Sequence, residues 1–427
     1  MYAHLLEKKL SKFGIYYGWF IAFMTFITTV FSSAVVSIPQ VLIIPLTNNF
    51  GWSISDISSA IALMLFILAS MAPFGGALML RLGIPKVVSI SGFFSITGLI
   101  TIIFVSEKWH LFFGIGFCLG LSSGILGLGL AATVATRWFH SRRGLVVGIL
   151  TSGFAAGQLT FVPLIAWLTL MFGWKVAVLP VLFGCFLCSA LFFLFGKSWP
   201  AELGLPAYGD KQKFQPPKIR ENPIVISFKN LFKGIKHPAF WILATTFFIC
   251  GFTSTGLVSQ HFIPFCFDKN IGIVVASSYL AIMGVFNFLG TMGSGWLSDR
   301  YDNFTLLAIY YSFRGLSLIY LPYSNFDFYA LSLWAIFFGL DFIATVPPTV
   351  RLTSKFFGTV SGPVIFGWIF AAHQYGAAFA AYSAGISRDI ILSYNPIFIA
   401  AGLACFIAML LILYFKVNQN KLIRSLS

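Results

Sequence analysis

The sequence predicts an all-helical polytopic membrane protein, with twelve spans arranged as two sets of six. Three observations predict it. Charged residues make up only 9% of the chain, against 58% hydrophobic. The apolar residues fall in runs of about 20 or more, the length a helix needs to cross a hydrocarbon core about 30 Å thick. Lys and Arg gather in alternate gaps between those runs. A soluble domain carries roughly 25% charged residues, so this chain has too little polar surface to stay in water.

Lys8, Lys9 and Lys12 precede the first run. With no small-residue cleavage site after it, the run reads as a retained helix and not a signal peptide. Spans are placed near residues 16–44, 56–80, 87–106, 111–136, 144–172 and 175–196. After a polar stretch, the second set lies near 240–266, 272–298, 304–322, 328–350, 359–387 and 393–416. The expected organisation is an N-terminal tail (1–15), a six-helix bundle (16–196), a linker (197–238), a second six-helix bundle (239–416) and a C-terminal tail (417–427). The 50 Phe suit lipid-facing bulk, and the 39 Gly suit close helix contacts.

The formal charge of +15 raises the question of nucleic acid, but the basic residues form no stripe interleaved with aromatics. They sort by topology instead. With the N-terminus inside, 22 of the 27 Lys and Arg fall inside. Lys108, Lys175, Lys269 and Arg388 fall outside, and Arg314 lies within a span. Both termini and the linker are therefore expected in the cytoplasm, and the chain's style suggests a bacterial inner membrane. Six Cys are scattered, nearly all in apolar runs; Cys185 and Cys188 form one CxxC without a second pair. They read as packing residues, and no metal or cofactor is expected.

The loops repeat. Gly76-x-Leu78-x-Leu80-Arg81 closes span two, and Gly295-x-Leu297-x-Asp299-Arg300 closes span eight. Arg137 to Gly144 leads into span five, and Arg351 to Gly358 leads into span eleven with the same spacing. Two halves built alike are the signature of transporters that place a site between repeats.

On these residues the chain resembles the major facilitator superfamily. The second loop matches the core of that family's signature; the first keeps Gly83 and Lys86 but has Leu80 where the family has Asp. Within the superfamily it looks like the monocarboxylate-porter and oxalate–formate-exchanger branch. Tyr16-Tyr17-Gly18-Trp19, Phe50-Gly51-Trp52-Ser53, Arg137-Trp138-Phe139-x-x-Arg142-Arg143-Gly144 and Phe172-Gly173-Trp174-Lys175 carry that likeness. The resemblance implies two six-helix bundles that rock about a midplane site. It also implies a cytoplasmic gate built from Gly76, Arg81, Arg142, Arg143, Gly295, Asp299 and Arg300. In that gate Asp299 would latch against the start of span five near Arg143 and Gly144, a carboxylate at a helix N-terminus. The plain alternative is a positive-inside loop. Carboxylate porters of the branch keep an Arg in span eight, where this sequence reads Gly284-Val-Phe-Asn287-Phe-Leu-Gly-Thr291. Either Arg314 or His373 replaces that cation, or the substrate is not a simple carboxylate.

A charge at mid-bilayer needs a partner or a purpose. Arg314, Asp341 and His373 all fall at central depth in spans nine, ten and eleven; His261 lies in the outer part of span seven. Arg314 and Asp341 read either as a structural ion pair or as a site where Asp341 or His373 carries a proton and Arg314 tunes it or holds an anion. A histidine titrates in the right range, though a lone one is often a packing residue. Pro39, Pro45, Pro264, Pro347, Pro348 and Pro363 free carbonyls inside apolar runs, which is tolerated only beside protein or a wet cavity. Gln40, Gln158, Gln260, Asn287 and Gln374 lie near these breaks and are expected to line such a cavity. The expected function is secondary transport of a small organic solute, most plausibly a carboxylate moved with protons across a lipid bilayer. Drug-like or siderophore-like efflux would call for acids in the first-half spans, which hold none. A sensor or scaffold would call for an added domain, and an intramembrane enzyme for HExxH, GxSxG or paired mid-span acids.

Overall fold

The computed structural model describes residues 2–127, 129–210 and 222–424. The linker basics Lys211, Lys213, Lys218 and Arg220 lie outside them. Twelve helices are long and apolar enough to cross a membrane: α1 (Tyr17–Phe50), α2 (Ile54–Leu82), α3 (Ile84–Ile103), α4 (Lys108–Trp138), α5 (Leu145–Phe172) and α6 (Trp174–Phe195) come first. The second set is α7 (Pro238–Asp268), α8 (Ile273–Ser298), α9 (Asn303–Tyr323), α10 (Phe328–Gly358), α11 (Ser361–Ile391) and α12 (Asn395–Gln419). Each overlaps its expected run; the ends differ by a few residues because caps, not hydropathy, set them.

Those caps are specific. The Ser53 hydroxyl accepts from the Asp56 N–H, and the Asp56 carboxylate accepts from the Ser53 N–H, at the start of α2. His237 Nδ1 accepts from Ala239 N–H (3.1 Å) at α7. Asp302 accepts from Thr305 N–H (3.0 Å) at α9, and Asp327 from Ala330 N–H (2.7 Å) at α10. Each satisfies a backbone donor that a helix start leaves free.

The internal repeat reappears as packing. In the first half α1 packs on α5, α3 on α6 and α2 on α4; in the second α7 packs on α11, α9 on α12 and α8 on α10. The pairs correspond one for one, six helices apart. Glycines permit the closest approaches. A side chain at Gly157 would lie 2.4 Å from Val30 O of α1, and one at Gly251 would lie 1.7 Å from His373 O of α11. The halves meet along α2–α11 and α5–α8, with α7 touching α1. Between them the linker helix Pro223–Gly234 bridges both: Trp368 Nε1–H donates to Ser227 O (3.1 Å), and the Phe74 ring packs against Phe228 and Trp368.

Candidate functional site

A cleft opens between the halves about midway along the helices that line it, with about 350 Å³ of empty space including its open mouth. Gln40 of α1 and Gln158 of α5 face it from the first half; Ser259 of α7 and Asn287 of α8 face it from the second. Apolar walls come from Val162, Leu280, Met283 and Phe342. Gln40 is buried, at 3% exposure, and its Oε1 has no hydrogen-bond partner. Asn287 is held by Thr291, whose hydroxyl donates to Oδ1 (3.2 Å). Three of the expected amides therefore line this space. No charged side chain does, among the described residues.

The other expected residues stand in the wall behind it. Arg314 of α9 is wholly buried, and all of its nitrogens have partners. Nε donates to Asp341 Oδ2 (2.5 Å), Nη1 to Cys250 Sγ (2.9 Å), and Nη2 to the carbonyls of Asp341 (2.6 Å) and Phe342 (3.2 Å). The two carbonyls belong to a break in α10. Helix ends at Asp341, four turn residues follow, and helix resumes at Val346. Pro347 and Pro348 lack the N–H groups that would continue the ladder to residues 343 and 344. Ser294 Oγ of α8 donates to the freed Ala344 O instead (2.5 Å). Arg314 and Ser294 thus satisfy a broken helix inside the membrane.

His373 lies against the Phe247 and Phe370 rings, with centroids 4.7 and 5.8 Å away, and its Nδ1 has no partner among the described residues. His261 is fully buried. Its Nε2–H donates to Ala381 O (2.9 Å), and its Nδ1 is 3.3 Å from the Tyr394 hydroxyl. With the ring proton on Nε2, Nδ1 accepts and the Tyr394 hydroxyl is the donor; burial first, and the Asp268 carboxylate second, push the pKa of that hydroxyl up. Gln260 and Gln374 are buried, each with an unpartnered Oε1; neither lines the cavity.

At the end of the bundle that carries the termini, Asp299 pairs with Arg351. The expected latch partner, the start of α5 at Arg143 and Gly144, has side chains outside the described residues. Close packing favours the Arg351 pair: a side chain at Gly290 of α8 would lie 1.9 Å from Leu340 O, so α8 and α10 run side by side. Arg300 sits over the Trp296 ring (4.0 Å), Arg81 and Arg142 are exposed, and the spaces beside Gly76 and Gly295 are open.

A carboxylate-to-helix-start contact between the halves exists at the opposite end. Asp389 of α11 accepts from the Ser55 N–H in the first turn of α2 (2.7 Å), joining the two halves. There too Lys108 pairs with Asp56 (2.7 Å) and Arg388 with Asp268 (2.5 Å). Two of the four cations counted outside are thereby neutralised by acids. Sequence reasoning missed Asp389, Cys250, Ser259 and Ser294. Asp389 stood beside Arg388 in a nominal loop and could have been weighed as a partner; the other three are small residues in apolar runs and gave no signal.

Residues 21–381 match the family model described as Major Facilitator Superfamily. The chain is 25% identical to "Uncharacterized MFS-type transporter YcxA" of Bacillus subtilis (strain 168) over 88% of this chain and 90% of that one. It is 23% identical to the oxalate:formate antiporter of Oxalobacter formigenes over 86% and 84%. It is also 23% identical to monocarboxylate transporter 13 of Rattus norvegicus over 90% and 86%. Among solved structures, the peptide transporter POT in complex with sulfate superposes with a TM-score of 0.71 at 14% identity, covering 96% of each chain. At that identity the likeness speaks for the fold.

Proposed function

The chain belongs to the Major Facilitator Superfamily of transporters, and from that premise we propose that it moves a small organic acid together with protons by alternating access. It is an integral, multi-pass membrane protein and not an enzyme. One observation carries the proposal: the cavity midway along the helices is built by both halves, so rocking one half on the other opens it to either side. The organic acid comes from the kinship with the oxalate:formate antiporter and the monocarboxylate transporters. We place both termini and the linker in the cytoplasm of a bacterial inner membrane, on the strength of the Lys and Arg asymmetry. Nucleic acid has no part in this reading.

The proton can travel on a protein group or on the solute. Asp341 and His373 are the protein candidates: Asp341 Oδ1 and His373 Nδ1 both lack partners. Uptake into proteoliposomes under an imposed pH gradient tests the function, with lactate-like acids, dicarboxylates and amino acids as the panel. The expected result is acid uptake driven by an inward proton gradient. Uptake of amino acids alone, or acid uptake indifferent to the gradient, overturns it. Normal proton-linked transport by both Asp341→Asn and His373→Ala would remove those two residues from the proton's path.

A further inference from the structure

We infer that the cavity takes its organic acid in the undissociated form, so that the coupled proton crosses on the solute itself. This rests on the carboxylate reading above and adds the chemical state of the cargo and the residues that select it.

The lining is the first ground. Its polar groups are the carboxamides of Gln40, Gln158 and Asn287 and the Ser259 hydroxyl, between apolar walls. A carboxylate offers acceptors only, whereas a carboxylic acid offers one donor and one acceptor on the same carbon. A primary carboxamide also presents one donor end and one acceptor end. Whichever way it turns, its bidentate partner must supply both, and an undissociated acid does. The unpartnered, buried Gln40 Oε1 needs a donor from whatever enters, and a carboxylate has none to give.

The second ground is the missing counter-charge. Arg314, which bonds the carbonyl of the lining residue Phe342, is fully buried; its three nitrogens are committed to Asp341, Cys250 and two α10 carbonyls. The titratable groups on the helices that line the cavity stand outside the lining. α7 carries Cys250, His261 and, toward its far end, Cys266 and Asp268; α8 carries Tyr279. α10 carries exposed Tyr329 at its start, Asp341, and Arg351 and Lys355 further along its lower arm; α1 has only Tyr17, at its start, and α5 has none. His373 of α11 packs against the Phe247 and Phe370 rings and is not in the lining. An anion here would be desolvated without a partner, which ionisable groups avoid by taking up a proton. For an acid of pKa about 4 at pH 7 that uptake is a roughly thousandfold handicap, about 4 kcal/mol, smaller than the cost of burying an unpaired carboxylate. The balance is simple. The acid gains one proton from water on the side of entry and loses one on the side of exit, and no protein group changes its charge.

Calorimetry on the detergent-purified full chain, run at pH 7 in two buffers of different ionisation heat, tests this. The probes are lactate and butyrate, their primary amides lactamide and butyramide, and methanesulfonate. Each acid should bind with uptake of about one proton, and its apparent Kd should tighten about tenfold from pH 7 to pH 6. The amides, neutral mimics of the acids, should bind with no proton uptake and no pH dependence. Methanesulfonate should not bind. Gln40→Leu should weaken acid and amide alike by tenfold or more. Acids that bind without proton uptake, or amides that fail while methanesulfonate binds, overturn the inference and leave carboxylate transport standing. Proton uptake with the amides puts the proton on a protein group and overturns it too. If neither acids nor amides bind, the carboxylate function falls and takes this inference with it.

Discussion

Arg314 shows how a single buried charge can be structural and still look like a site. Its sequence context offered two readings, an ion pair or an anion holder, and only coordinates show that Nη2 caps carbonyls left by a helix break. Removing one partner of a buried pair strands the other. Arg314→Ala is therefore expected to cost about 3–5 kcal/mol, read as a fall in Tm of the detergent-solubilised protein. Replacing both charges by apolar residues of similar volume, Arg314→Met with Asp341→Leu, should recover much of that loss. A double variant as unstable as the single one would put the energy in the carbonyl contacts and not in the pair. The exposed Asp299–Arg351 pair behaves differently, because water screens it. Asp299→Asn should change stability by less than about 1 kcal/mol in the same assay, so a loss of transport without a loss of Tm would mark a gating role.

At the scale of helices, two local devices have measurable consequences. His237 caps α7 through a neutral Nδ1, and burial lowers its pKa from the usual histidine range. A base whose folded pKa is depressed gives its stabilisation in full above the unfolded value, about 6.5, and loses it as the pH falls through the folded one. His237→Ala should thus be less stable than the parent by about 1 kcal/mol at pH 8, with the gap closing toward pH 5. The break in α10 is the second device. Pro347→Ala with Pro348→Ala restores two backbone donors and lets helix run through residues 342–346. Stability should hold or rise, while transport falls at least tenfold if the lower arm pivots there; unchanged uptake rates would dismiss the pivot. These devices also mark what was legible beforehand. Apolar run length gave all twelve spans, since crossing a bilayer is a local property. Pro347-Pro348 announced a break in α10, but Arg314 and Ser294, which repair it, come from other helices. Likewise Gln40, Gln158 and Asn287 were expected in a cavity from polarity alone, while Ser259 and Cys250 stayed hidden because a small polar residue in a greasy run is usually helix-to-helix packing.

For the molecule as a whole, the six-helix offset in packing divides the helices into two matched units, and the proposed rocking would act on the surfaces between them. Those surfaces pair α2 with α11 and α5 with α8. The sequence pointed to a latch at the terminal-bearing end, from Asp299. An inter-half carboxylate contact among the described residues joins Asp389 to the Ser55 N–H at the opposite end, a placement no loop motif could reveal because its partner is a backbone group 334 positions away. Three residues before Ser58 on the same helix, that contact is backed by close packing: a side chain at Gly385 would lie 2.6 Å from Ser58 Cβ. Gly385→Leu should therefore act as a wedge between α2 and α11. The fold of each half is untouched, so Tm should fall by little, but the end away from the termini can no longer close. A cysteine placed at Gln40 should then react faster with a membrane-impermeant thiol reagent added from that end, and uptake should drop at least tenfold. Unchanged labelling and unchanged uptake would mean that the halves do not part along this seam.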